Sequence, residues 1–245
     1  MLKSLFAIIP IELKTKKKVV TGNVRGKLIV LEGLDGSGKG TQIRLLSDYI
    51  RSTGRQAYLT AEPTSSSLGG MIRDALGGFV GRDAYELSAL FLADRIFHNV
   101  NPRNGIRKFL DEGIDVICDR YYYSSFAYQG TDADLDWVMR MNLDCREITA
   151  PDLCIFLDVD TEQCDKRIAE NRFDREIYEN IEMQRRIRAR FFEVFARLKD
   201  SDPIRIVDAS RQPEAVSEDV IRLYQELVTK EGNDQSLTDD YKNNR

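Results

Sequence analysis

The stretch LIVLEGLDGSGKGTQ, residues 28 to 42, limits what this chain can fold into more than any other. A short apolar run suited to a strand buried on both faces leads straight into a glycine-rich loop, and helical spacing of Ile43, Leu46, Tyr49 and Ile50 follows. Gly33, Gly36 and Gly38 let backbone N–H groups turn inward with no Cβ in the way. A helix starting near Lys39 aims the positive end of its dipole at the same spot. The result is a cradle for phosphates, with Lys39 as a mobile ammonium able to follow the β- and γ-phosphates of a nucleotide. The pattern is G-x-x-x-x-G-K-[ST] except at its last position, where Gly40 stands in place of the hydroxyl residue.

Gly33, Leu34, Asp35, Gly36, Ser37, Gly38, Lys39, Gly40 and Thr41 are therefore the candidate phosphate contacts. Without a hydroxyl at Gly40, a Mg²⁺ ion has to keep more of its water or draw on Thr41 or a carboxylate. GSGKGT is the form this loop takes in adenylate kinases, so Gly40 points to a nucleoside-monophosphate kinase. It also points away from GTPases, and no N-K-x-D guanine-reading signature is present. Nor does a strand end in the Asp-Glu pair of many motor ATPases, since Asp119-Arg120 follows DVIC.

Four further β-rich runs, at 56–60, 114–119, 153–159 and 204–209, alternate with helical patterns, which implies a parallel sheet with strands buried on both faces. The expected domain runs from 27 to 230, with an N-terminal extension (1–26), a charged loop at 171–180 and a polar tail (231–245). The net charge of -4 gives no general attraction to DNA or an acidic membrane, so no nucleic-acid or membrane partner is expected. The run Leu5 to Ile9 is too short to span a bilayer, and its lysines follow it instead of preceding it as in a signal peptide. Four cysteines without a C-x-x-C pair and a single histidine suit reduced structural thiols of a cytoplasmic protein. The aromatics Phe191, Phe192 and Phe195 read as the buried face of a long helix whose arginines, in RRIRAR, face water.

Moving a phosphoryl group onto another phosphate requires cations beyond Lys39, and arginines cluster near strand ends: Arg120, Arg95, and Arg167, Arg172 and Arg175 around the charged loop. With LIVLEGLDGSGKGTQ, EPTSSSLG, ALFLADR, DRYYYSSFAYQG, PDLCIFLDV, REIYENIEMQ and VDAS in order, the chain resembles the thymidylate kinases over nearly all of residues 27 to 228. The resemblance implies a P-loop kinase fold, a three-layer α/β/α domain with a five-stranded parallel sheet and a small lid. The implied activity is ATP-dependent phosphorylation of dTMP to dTDP, a step of dTTP synthesis, with Mg²⁺ as cofactor and a homodimer built through helices near Trp137 or Phe97.

The resemblance also implies roles. Phe91 would stack on thymine and Arg95 would donate to its carbonyl oxygen. Arg120 would bridge donor and acceptor phosphates, while Asp119 helps Mg²⁺ and its waters, with Thr41 as a second candidate ligand. Tyr128 and Gln129 would crowd the sugar and face the base, disfavouring a ribose 2′-hydroxyl; Asp35 would approach the sugar hydroxyl. Glu62 belongs to the loop after the second strand, where Arg73 is placed to hold the acceptor phosphate. Some members carry an arginine inside the phosphate loop where this chain has Gly36, so the lid arginines, Arg172 or Arg175, are expected to meet the transition-state charge. Two alternatives stay open: a kinase for dUMP, UMP or CMP, and a regulatory protein that binds nucleotide without turnover.

Overall fold

The computed structural model describes residues 24–171, 178 and 180–242. Its core is a sheet of five parallel strands, β1 (Leu28–Glu32), β2 (Ala57–Ala61), β3 (Asp115–Asp119), β4 (Leu153–Asp158) and β5 (Ile204–Asp208), in the order β2-β3-β1-β4-β5. Every strand lies within a residue or so of its sequence-based position. Leu28, Ile29, Val30 and Leu31 are wholly buried in the central strand, and each such burial contributes roughly 1.5–3 kcal/mol. The edges differ from expectation. β2 and β5 are only partly covered, with Leu59 and Ile206 exposed, because an apolar run reveals a strand but not whether it has a neighbour on each side.

Helices α1 (Lys39–Ser52), α2 (Ser67–Leu76), α3 (Ala84–Val100), α4 (Ile106–Asp111), α5 (Tyr122–Tyr128), α6 (Leu135–Leu143), α7 (Thr161–Asn171), α8 (Ile181–Leu198) and α9 (Pro213–Lys242) surround the sheet. The polar stretch expected as a tail continues α9 as far as Lys242, with no proline after Pro213 to interrupt its hydrogen-bond ladder. Phe191 and Phe195 are buried on α8, as their spacing implies. Arg185 and Arg186 of that helix face water, but Arg188 turns back to clasp Asp158 with two bonds of 2.8 Å. All four cysteines are free thiols, three of them buried.

The strand order reverses at β1, whose neighbours β3 and β4 both lie later in the chain. In an open parallel sheet, that is where the loops at the carboxyl ends separate into a crevice. Side chains of Ser66, Asp83, Asp134 and Asn180 cap α2, α3, α6 and α8, whereas α1, which opens at the crevice, begins at Gly38 with no side-chain cap, as do α4 and α5. The first-turn N–H groups of α1 thus remain open to an anion.

Candidate active site

The loop after β1 needs glycine where the backbone is left-handed and crowded. Gly36 has φ of 81°, and a Cβ there would lie 2.5 Å from the Cys164 carbonyl oxygen on α7. An arginine at this position, as some resembling sequences have, would require α7 to move. Gly40 is different, since a Cβ there would meet nothing within 4 Å. The missing hydroxyl at Gly40 is not a consequence of crowding.

Lys39 curls back over the loop, its Nζ donating to the carbonyls of Gly33 (3.0 Å) and Leu34 (2.9 Å). Burial pushes its pKa below the ordinary lysine value, and the nearby Arg120 charge pushes it the same way; Asp119, Asp35 and Glu32 oppose them.

Arg120 is the one non-glycine residue with positive φ among the described residues, at 65°. Such a conformation costs about 1–2 kcal/mol, and the surroundings hold it. Its N–H donates to Leu31 O (3.0 Å), Nη2 to Asp35 Oδ1 (2.7 Å) and Nη1 to Ser124 Oγ (3.0 Å). The guanidinium lies 5.0 Å from the centre of the Tyr128 ring, and the Tyr128 hydroxyl donates to Asp35 Oδ2 at 3.3 Å. Asp35 therefore ties the phosphate loop to both residues.

A cavity of about 490 Å³ opens beside this cluster. Its walls include Glu62, Arg73, Phe91, Arg95, Arg120, Tyr128 and Gln129, the whole expected acceptor set, together with Lys39, Thr41 and Asp119. Arg95 is almost wholly buried and held by Glu62 Oε2 (2.7 Å), Asn142 Oδ1 (2.5 Å) and Ser125 Oγ (3.1 Å). The other oxygen of Glu62 meets His98 Nδ1 at 3.0 Å, so Glu62 is placed to fix Arg95. Arg73 donates to the carbonyls of Pro63 and Thr64, and the loop they belong to is tied down by Asp94, which accepts bonds from Thr64 and Ser66. The Glu62-Pro63 peptide is cis. Tyr178 packs edge-on against Tyr128, at 5.3 Å and 84°. Arg172 and Arg175, the expected lid arginines, lie outside the described residues.

A second cavity of about 390 Å³ shares Asp35, Gly36, Gly38 and Thr41 with the first. Its far wall is Arg167, Arg211, Pro213 and Val216. Arg167 was among the arginines expected to supply charge for the transfer; no sequence argument gave Arg211, Pro213 or Val216 a role, although VDAS at the end of β5 marks the place. Arg167 Nη1 also donates to Gly36 O at 3.3 Å, which brings this cation to the loop position where some resembling sequences carry arginine.

Two polar atoms on the first cavity's walls, Asp119 Oδ1 and Gln129 Oε1, are buried with no hydrogen-bond partner. A hard carboxylate oxygen left unpaired next to a phosphate loop suits Mg²⁺, which binds through one or two carboxylates plus phosphate oxygens. No cluster of three or more potential ligands exists among the described residues, and such a site needs none.

A phosphate loop on a doubly wound parallel sheet, with two cavities meeting at the loop, is the arrangement of a P-loop nucleoside-monophosphate kinase. The family model for thymidylate kinase matches residues 31–220. The chain belongs to the thymidylate kinase family. It is 36% identical over 206 residues to a protein of Pyrococcus abyssi (strain GE5 / Orsay) named "Probable thymidylate kinase", covering 82% of this chain and 96% of that one. The "Thymidylate kinase" of Pelotomaculum thermopropionicum is 35% identical, with 84% and 95% covered. A solved structure of thymidylate kinase from Candida albicans, whose title concerns the origin of broad substrate specificity, superposes with a TM-score of 0.70 at 27% identity. That likeness covers 84% of this chain and 93% of the solved one.

Proposed function

We propose that this chain transfers the γ-phosphoryl group of ATP to the phosphate of dTMP, giving ADP and dTDP. The observation that carries the reading is the pair of cavities with the phosphate loop as their common wall. An acceptor in the larger cavity and a nucleoside triphosphate in the other would place their phosphates at Gly38 and Thr41, which line both, with Lys39 on the wall of the larger. An oxygen of the acceptor phosphate attacks the γ-phosphorus in line while the bond from that phosphorus to the β-bridging oxygen breaks, and no covalent enzyme intermediate is formed.

In this reading Lys39 leaves its two loop carbonyls for the β- and γ-phosphates. Arg120, aimed by Asp35 and Ser124, meets both sets of phosphate oxygens. Arg167 serves the donor side, with Arg172 or Arg175 closing from the lid. Mg²⁺, held by Asp119 and Thr41, supplies charge neutralisation of the phosphate oxygens when bound. On the acceptor side Phe91 stacks on the base and Arg95, held by Glu62, Asn142 and Ser125, donates to it. Arg73 takes the acceptor phosphate; Tyr128 and Gln129 border the sugar and base.

The test is ADP release with ATP and Mg²⁺ and dTMP, dUMP, UMP, CMP, AMP or GMP as acceptor, with Lys39→Ala as control. dTMP is expected to lead UMP clearly and dUMP by roughly 10-fold to 200-fold, the range one methyl provides. A different leading acceptor would overturn the base-site assignment. ATP binding without turnover on any acceptor would replace the enzyme reading by the regulatory one.

The same reading places the enzyme in the cytoplasm, where unpaired thiols stay reduced. No helix among the described residues is long and apolar enough to cross a membrane. It also makes the enzyme a homodimer through α3, where Tyr85, Phe97 and Val100 are exposed and Tyr85 packs on Trp137 of α6. Phe97→Asp is expected to halve the mass in light scattering after gel filtration; an unchanged mass would move the interface elsewhere.

A further inference from the structure

Helix α5 brings Ser124 and Tyr128 to the wall of the acceptor cavity, yet its first residue follows Tyr121, which offers no side-chain cap. The missing cap comes from another element. Glu32, the last residue of β1 and wholly buried, accepts bonds at Oε1 from the N–H groups of Tyr121 (2.9 Å) and Ser124 (3.1 Å). Its Oε2 accepts from the Ser124 hydroxyl at 2.7 Å. A hydroxyl has one proton, and here it goes to Glu32. The Ser124 oxygen lone pairs are then turned toward Arg120 Nη1, 3.0 Å away.

We propose that Glu32 is a positioning residue for phosphoryl transfer: through the Ser124 hydroxyl it sets where the Arg120 guanidinium stands between the two cavities. This rests on the role given to Arg120 above. Three features make the relay more than a cap. Arg120 is the residue held at φ 65°, so its backbone alone would not choose this geometry. Leu31, beside Glu32 on β1, anchors the Arg120 N–H at 3.0 Å, so one strand end fixes both the backbone and the side chain. Asp35 takes the opposite edge of the guanidinium at 2.7 Å, which leaves the group with two fixed points and a defined plane. Burial raises the Glu32 pKa while the Arg120 charge and the Ser124 and Tyr121 bonds oppose that rise, consistent with a carboxylate that depends on this cluster.

The experiment uses Glu32→Gln, Ser124→Ala and Ser124→Thr, each in the natural sequence and with Arg120→Lys, reading kcat, KM for each nucleotide and melting temperature. Ser124→Ala keeps both backbone bonds to Glu32 but severs the relay. It is expected to lower kcat by roughly 10-fold to 100-fold with KM for ATP within twofold, and Ser124→Thr is expected to restore most of the loss. In the Glu32→Gln enzyme the new amide nitrogen must donate to the Ser124 oxygen, competing with Arg120, so a similar fall follows. With Arg120→Lys present, either substitution is expected to cost little more, because both act through the guanidinium.

A Ser124→Ala enzyme with kcat within twofold of the parent would reduce Glu32 to a helix cap and overturn the relay. So would losses that multiply in full with Arg120→Lys, since Ser124 would then act on the substrate directly. Arg120→Ala separates the premise from the proposal. If that enzyme turns over normally, the role of Arg120 falls; if it is crippled while Ser124→Ala is not, only the relay falls. Should Glu32→Gln fail to fold, the Ser124 pair decides alone.

Discussion

Strand β3 begins and ends in aspartate, and the two carboxylates are treated in opposite ways. Asp115, at the amino end, is wholly buried and saturated: it accepts from the Lys27 N–H (2.8 Å), from Arg55 Nε and Nη2 (2.9 and 2.7 Å) and from the Tyr224 hydroxyl (2.7 Å). Those bonds join β3 to the chain just before β1 and before β2, and to α9. Asp152 does similar work nearby, accepting from Leu28 N and Arg25. Asp119, four residues along the strand from Asp115, leaves Oδ1 buried with no partner. The fold supplies every donor at one end of this strand and withholds one at the other, and the role proposed for Asp119 falls at the end left unsatisfied.

Neutralising the two aspartates in turn breaks or sharpens that contrast. Asp119→Asn is expected to lower kcat on the order of 100-fold, the upper range for residues that support a bound ion, with the melting temperature no lower than the parent's. Unaltered turnover would leave the orphaned oxygen without the role proposed for it. Asp115→Asn is expected to do the reverse. It strips the ion pair from Arg55, whose pKa the Asp115 bond raises, and sets an amide N–H₂ against donors. The cost is about 3 kcal/mol, a fall in melting temperature on the order of 10 °C, while kcat of the folded enzyme stays within twofold. If Asp115→Asn instead lost turnover at full stability, the two ends would not be functionally distinct.

The shape of the phosphate loop at the carboxyl end was largely legible in the sequence because backbone geometry dictates it. A turn that points N–H groups at phosphate demands glycines at set offsets, so Gly33, Gly36, Gly38 and Lys39 announce themselves. Asp119-Arg120 is readable because Asp119 closes, and Arg120 directly follows, a strand that must end at the crevice. Residues that act through tertiary placement were not readable. Glu32 looks like the polar end of a strand until α5 is laid across it, and Asp94 looks like a helix charge until the Thr64 to Ser66 loop folds onto it. Arg167 and Arg211 join one wall only because β5 packs beside β4 and α7 abuts the phosphate loop, facts that no local period encodes. The exposure of β2 and β5 escaped for the same reason.

The smallest effect concerns Lys39, the cation that the carboxyl end keeps in reserve. Its pKa is lowered by burial and then by Arg120, so in the free enzyme the ammonium gives up its proton at a lower pH than an ordinary lysine would. Neighbouring groups move the other way: burial pushes the Cys164 thiol up to about 11 and raises the Tyr128 hydroxyl as well. An alkaline fall in kcat/KM for ATP is therefore expected below the usual lysine pKa of about 10.4, with Lys39 as its titrating group. ATP phosphates stabilise the ammonium, so the corresponding fall in kcat, which reports the bound state, is expected at higher pH than that in kcat/KM. Lys39→Arg, always charged, is expected to lower activity at neutral pH but to erase the limb. If the limb survives in the arginine enzyme, the titrating group is elsewhere, and the buried ammonium is not the reserve that sets the active end of β3 apart from its structural end.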